Sequence, residues 1–400
     1  MWSQIFGVGA LDGAAFTKLV AKLGIESGRF VDPLVDPDAM KIRDANEWMN
    51  LSNLHREFLQ LGRRERLAFV RDRVLRPITP ELLVGQWEDT VPLLLPVVRD
   101  GGYLTLTALT ALTADSPNPE IAHRLVAPGL FATVVIDRPE HMVLVTEQTL
   151  VAWDVSLETA LETAYANLRT ISQEPFIQLA TGLWKAPWTD SYTSARVLLP
   201  EILQRVCTNP LVAVPARGEL LVADPTVMSA RVSLMSLVAM HETDSYPITR
   251  QIFHLEEKTL RVWTPQTSNA VLLADYMKCL ADEKLEVYSA ECEMREKLDS
   301  EIHAAQLSAI EVDDRVITQT MWLGDGIHEL PPADIVLFVD MNTAQMPPPM
   351  WGVPWDTVVA AGLVQPTASP LPRFVTGPFP SADWLDEHQL QPGELPSLER

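Results

Sequence analysis

PLVAVPARGELLVADP, residues 210–225, is the stretch whose reading decides the fold. Leu211-Val212-Ala213-Val214 and Leu220-Leu221-Val222 are short apolar runs parted by Ala216-Arg217-Gly218, with a proline at each outer end. Glycine accepts turn dihedrals and proline ends a ladder it cannot donate to, so the segment predicts an antiparallel hairpin. A second hairpin follows in YPITRQIFHL (246–255) and TLRVWTP (259–265), parted by Glu256-Glu257-Lys258. Between the two hairpins, TVMSARVSLMSLVAMHE (226–242) predicts a helix rich in Met and Ser. Sheets of hairpins interleaved with helices give the α+β class.

Working upstream, FIQLATGLWKAPW (176–188) reads as a strand and DSYTSARVLLPEIL (190–203) as a helix. Asp190 or Ser191 supplies the N-cap, Val197, Leu198, Ile202 and Leu203 form one apolar face, and Pro200 predicts a kink. Tyr192 and Arg196 are four residues apart and therefore share a helix face. Two readings of that face stand open. Arg196 clamps Asp190 or the carbonyls of the neighbouring hairpin, or Tyr192 and Arg196 join Arg217 of the hairpin turn in a pocket for an anion or a peptide terminus. Tyr246 completes the set of candidate binding residues. Further upstream, Ser156 caps a helix whose Leu157, Leu161, Ala164 and Leu168 recur at helical spacing.

The order Tyr165-x-Asn167-Leu168, Asp190-x-Tyr192-x-x-x-Arg196, Val214-Pro215-x-Arg217-x-x-Leu220-x-x-x-Asp224 and Tyr246-Pro247-Ile248-Thr249 resembles the YtpQ-like family of uncharacterised bacterial proteins. The resemblance runs over about residues 85 to 265 and is absent after about 268. It implies a soluble bacterial α+β protein and names no substrate, cofactor or catalytic residue.

The first 150 residues read as a mixed or antiparallel sheet with helices to one side, and the grammar changes from Ser156. GAAFTKLVAKLG (13–24) predicts a helix stopped at Gly24, and GRFVDPLVDPDAMKIRDANEWMNLSNLHREFL (28–59) a strand meander. LGRRERLAFVRDRVLR (61–76) predicts an amphipathic helix, its arginines read as a solvated face. An apolar run interrupted by Pro92 and Pro96 leads to a turn at Asp100-Gly101-Gly102, and LFATVVIDRPEHMVLVTEQTLVAWDV (130–155) to a hairpin about Asp137-Arg138-Pro139-Glu140. After residue 268 a long acidic helix (269–310) precedes strands in DRVITQTMWL (314–323) and ADIVLFVD (333–340). Thirteen of thirty-one prolines lie beyond residue 330, so the last stretch is expected to be irregular, as loops hugging the surface around Trp351, Trp355 and Trp384, with a Pro-rich recruitment segment as the alternative. The expected organisation is two mixed or antiparallel sheet-plus-helix halves, 1–150 and 151–267, with a helical and Pro-rich extension at 268–400.

Composition narrows function. A net charge of −22 argues against nucleic acid and anionic membrane surfaces as partners, and no 18-residue apolar run offers a membrane span. Three scattered cysteines, Cys207, Cys279 and Cys292, fit reduced thiols in a cytoplasmic protein. The eight histidines never fall at HxH, HxxxH or HExxH spacing, so no metal and no cofactor is expected. Two clusters could supply acid–base chemistry: His241, Glu242 and Asp244, and Asp325, His328 and Glu329. The expected function is a non-catalytic protein-binding or adaptor module whose partner is another protein. The alternative is a hydrolase or transferase with a site between the two halves, built from Arg196, Arg217 and a His/acid cluster.

Overall fold

The computed structural model describes residues 11–28, 30, 33–37, 40–44, 47–51, 54–55, 58–59, 61–62, 65–71, 85–113, 120–138, 142–241, 246–265, 267, 269–298, 302–312, 315–391 and 394; for 41, 43–44, 47–50 and 67 it gives the backbone alone. Helices and mostly antiparallel sheets share the chain, which is an α+β protein. It divides into two compact sets of residues, one comprising Met1–Pro96, Val134–Ile171 and Thr243–Pro247, the other Val97–Thr133, Ser172–Glu242 and Ile248–Arg400.

In the first set, α1 (Gly13–Glu26) begins where the Asp12 carboxylate accepts the Ala15 amide at 2.7 Å. Gly24 does not stop this helix: a side chain there would strike the Phe30 ring, so the glycine permits close packing and the helix runs on to Glu26. The expected meander is a three-stranded antiparallel sheet of β1 (Leu34–Asp36), β2 (Lys41–Asp44) and β3 (Glu47–Asn50). Phe16, Val20, Ile42, Leu51 and Phe58 form its core. Of the arginine-rich segment, α2 (Arg66–Phe69) is helical, while residues 63–64 and 72–76 lie outside the described residues. Short helix α3 (Trp87–Thr90) leads to β4 (Leu94–Asp100), strand β7 (Met142–Leu144) pairs with the end of β6 (Leu130–Asp137), and α5 (Glu147–Trp153) and α6 (Leu157–Thr170) follow. Ser156 caps α6 as expected, and Asn167 on that helix donates to the carbonyls of Val91 and Leu94 at 2.8 and 2.9 Å.

The second set is organised on a six-stranded antiparallel sheet. Its strands are β8 (Ile177–Ala180), β9 (Leu183–Lys185), β10 (Leu211–Ala213), β11 (Leu221–Ala223), β12 (Ile252–Glu256) and β13 (Thr259–Val262), in the order β13-β12-β10-β11-β9-β8. The deciding hairpin is β10–β11, with Leu211 opposite Ala223 and Ala213 opposite Leu221. Its strands are apolar at every position because both faces are covered. Val212, Val222 and Phe253 point into one core, Leu211, Ala213, Leu221 and Ile252 into another. Helices α8 (Met228–Ala239) and α9 (Ala270–Arg295) build the second core through Leu234, Met235, Leu272 and Tyr276. Helix α4 (Gly101–Thr113) packs on α9, and β5 (His123–Ala127) pairs with the start of β6.

Three expectations are corrected in this part. Residues 176–188 hold two strands, not one, because Gly182 at φ +73° turns the chain between β8 and β9. Residues 190–203 are a 3₁₀ turn at Ser194–Leu198 followed by a one-turn helix α7 (Pro200–Leu203), since Pro200 takes the first helical position and no donor continues the earlier turn. Helix α9 ends at Arg295, so Leu298 and Ile302 lie beyond it and β14 (His303–Ala304) and β15 (Leu307–Val312) take up the rest.

The Pro-rich tail is not loops. It contributes β19 (Met350–Pro354), α10 (Trp355–Ala360), β20 (Val364–Pro366), β21 (Phe374–Thr376) and α11 (Ala382–His388) to two four-stranded sheets and their core. One sheet runs β14-β17-β21-β20, with β17 at His328–Leu330; the other runs β15-β16-β18-β19, with β16 at Arg315–Leu323 and β18 at Ile335–Val339. Tryptophans decide the outcome. Trp355 is buried, and Trp351 and Trp384 pack with Trp322, Phe338 and Val353, which an irregular drape could not have achieved.

Candidate functional site

Arg196 has no exposed surface, and every arm of its guanidinium is engaged. Nη1 and Nη2 each donate to one Asp190 oxygen at 2.8 Å, Nε donates to Ser172 Oγ at 2.7 Å, and the guanidinium carbon stands 4.1 Å from the Trp188 ring centre. Asp190 is held twice over, since its Oδ1 also accepts the Tyr192 amide at 2.9 Å. That Asx-type turn, not a helix N-cap, is what Asp190 forms. Burial pushes the Asp190 carboxyl upward, and the Arg196 bonds outweigh it, leaving the group below the ordinary carboxylate range. Trp188 is fixed in turn by its indole N–H to Glu174 Oε2 at 2.5 Å.

The other candidates fall around this clamp or away from it. Tyr192 is buried, and the Arg217 carbonyl accepts the Ser194 amide at 3.1 Å, so the β10–β11 turn tethers the 3₁₀ segment through backbone. Tyr246 belongs to the other compact set of residues. His241 meets Glu219 at 2.6 Å, and Glu242 and Asp244 lie outside the described residues. In the second cluster His328 reaches Asp325 at 3.1 Å, but Glu329 turns to Arg295 at 2.9 Å. The three residues are therefore not convergent on one point. Burial raises the thiols of Cys207 and Cys279 to about 11, which makes neither a nucleophile at neutral pH. No group of three or more His, Cys, Asp or Glu among the described residues could hold a metal, and no helix among them is long and apolar enough to cross a membrane.

A second buried arginine escaped the sequence reading. Arg373 donates Nε and Nη2 to Glu291 Oε2 at 3.0 and 2.8 Å and Nη1 to the carbonyls of Ala305 and Glu329 at 2.5 and 2.8 Å. Arg295 bridges Glu291 and Glu329 at 2.8 and 2.9 Å. The partners are 82 residues apart, so no local pattern announces them. The network locks the end of α9 to β17 and β21.

Beside that locked end lies a cavity of about 760 Å³. Strand alternation sends Trp322, Val336, Phe338 and Val353 into the core and their neighbours to the opposite face. On that face Met321 stands opposite Leu337, which in turn stands opposite Gly352, and Leu323 stands opposite Val339, which stands opposite Met350. Met321, Leu323 and Leu337 line the cavity with Leu298 and Ile302, and Gln319, Ser308, Arg295, Lys297 and His303 give it a polar rim. Met321 is 45% exposed and Met350 60% exposed. The face is apolar and bounded by polar groups, and its methionines have unbranched thioethers that repack easily. Comparison of the chain with family models, with curated proteins and with solved structures finds no match.

Proposed function

We propose that the chain is a non-catalytic protein-binding module whose recognition surface is the outer face of the β15-β16-β18-β19 sheet. The exposure of Met321 and Met350 on an otherwise apolar face carries this reading. A partner segment with apolar residues on one side, such as an amphipathic helix, would seat them in the cavity beside Leu323 and Leu337 and meet the polar rim with its edges. The acid–base reading needs the Arg196 fork to face a substrate, whereas Asp190 and Ser172 occupy it. The motifs that resemble the YtpQ-like family support a bacterial setting within the same proposal, and the three scattered cysteines a cytoplasmic one.

The test uses peptides selected from a random display library on the whole chain, titrated against wild type and against Met321→Asp/Met350→Asp. Affinity should fall by at least about tenfold in the double variant, as for removal of a central apolar anchor, with the melting temperature preserved because both side chains are exposed. Selected peptides that bind the double variant as tightly as wild type contradict the proposal.

A further inference from the structure

A second cavity, of about 280 Å³, shares no lining residue with the groove beside Met321. Two carboxylates from separate elements border it: Asp100, which ends β4, and Glu283 in the middle of α9. Asp100 Oδ1 accepts the Tyr103 amide at 2.8 Å and so caps α4. Glu283 Oε1 accepts the Thr249 hydroxyl at 2.9 Å and its Oε2 the Arg250 amide at 2.6 Å. These neutral donors leave acceptor capacity on both groups, since an ionised carboxylate offers about four lone-pair positions. No ion pair between described residues involves either acid. Burial raises the carboxyls of both, against the pull of their hydrogen bonds.

Most of the remaining wall is hydrocarbon, supplied by Val262, Leu280, Val287 and Leu371. The Gly101 and Gly129 backbones also reach the cavity, and at Gly101 a side chain would strike the Pro370 carbonyl. Lys284 sits on the lining with its side chain exposed to solvent. Half-buried carboxylates that take their hydrogen bonds from neutral donors, with Arg99 and Arg250 as the nearby positive charges, select by chemistry in a largely apolar chamber of this size. A metal ion would want a third ligand of its own type, which the described residues do not group there. A cation carrying its own hydrocarbon satisfies both halves of the lining.

We propose that this cavity binds a small organic ammonium ion, its charged head against Asp100 and Glu283 and its apolar body against Val262, Val287 and Leu371. The site is independent of the partner surface proposed above. It is tested on the full chain by calorimetry and thermal melting with phenethylamine, 2-phenylethanol and 3-phenylpropionate as probes. The amine should bind once per chain and raise the melting temperature with concentration, while the alcohol and the acid do neither. Glu283→Gln should weaken the amine by at least about tenfold. Val262→Trp, made from a residue 41% exposed at the end of β13, narrows the chamber and leaves both acids in place. It should cause a similar loss even where the Glu283 variant folds poorly, and Lys284→Met should leave amine binding intact or tighter. Absence of saturable amine binding, an equal response to the alcohol, or unchanged affinity in Val262→Trp overturns the proposal.

Discussion

Arg196 grips Asp190 with two parallel nitrogen–oxygen bonds of 2.8 Å while the guanidinium lies over the Trp188 ring. The pair spans six residues of one turn, and Ser172, which follows α6 and precedes the β8–β9 hairpin, completes it. The arrangement is a fastening for the chain between β9 and α7, not an open anion site.

Removing the fastening should therefore cost stability. Arg196→Ala leaves Asp190 without its partner and should destabilise the fold by about 2–5 kcal/mol, measured by chemical denaturation. Arg196→Lys should recover little of that loss, because a lysine cannot reproduce the two-pronged contact or the stacking on Trp188. A variant as stable as wild type would mean that the clamp contributes nothing to folding.

Much of this region was readable in the sequence, and the reasons are local. The β10–β11 hairpin announces itself through Ala216-Arg217-Gly218 and its flanking prolines, and Ser156 marks the start of α6 by capping it. The 3₁₀ turn at Ser194–Leu198 does not, because Asp190 looks the same whether it caps a helix or closes an Asx turn. Gly182 hid a hairpin inside what reads as one strand, since a single glycine in a β-rich run is equally consistent with a bulge. The proposed partner surface was out of reach for a different reason. It depends on β16 and β18 lying side by side in parallel, and on Arg373 meeting Glu291 across 82 residues, neither of which leaves a periodic trace.

The tail makes that point experimentally accessible. Ending the chain at residue 340 removes β19, α10, β20, β21 and α11 and uncovers Trp322 and Phe338. It also strips Arg373 from Glu291, and loss of one member of a buried pair costs about 3–5 kcal/mol by itself. The truncated chain should lose its cooperative melt and expose apolar surface to a hydrophobic dye, and Arg373→Met in the full chain should lower the melting temperature. A truncated chain that melts like the intact one would show the tail to be an appendage.

Stability should also carry a pH signature with two opposite signs. Burial holds Glu283 above its ordinary value of 4.5, so the folded state binds that proton more tightly than the unfolded chain. Its contribution is most favourable below the unfolded value and is lost as pH rises through the raised folded one. Asp190, held below its ordinary value, contributes above that value and loses the contribution as pH falls through the depressed one. Glu283→Gln should thus gain on wild type between mildly acidic and neutral pH, by at most about 1.4 kcal/mol per pH unit. The deficit of Asp190→Asn should shrink in acid. Denaturation curves of the three proteins at several pH values check both signs, and differences that stay constant with pH would contradict them.

The central claim is that recognition belongs to the sheet face carrying Met321 and Met350. The chain has thirteen methionines, and labelling their methyl groups reports the whole molecule at once. Titrating a selected peptide into the labelled protein should move the Met321 and Met350 methyl signals first and furthest, and Met228 and Met240, exposed on and just after α8, should stay in place. Movement confined to Met228 and Met240, with Met321 and Met350 unchanged at saturation, would put the partner surface elsewhere and contradict the account.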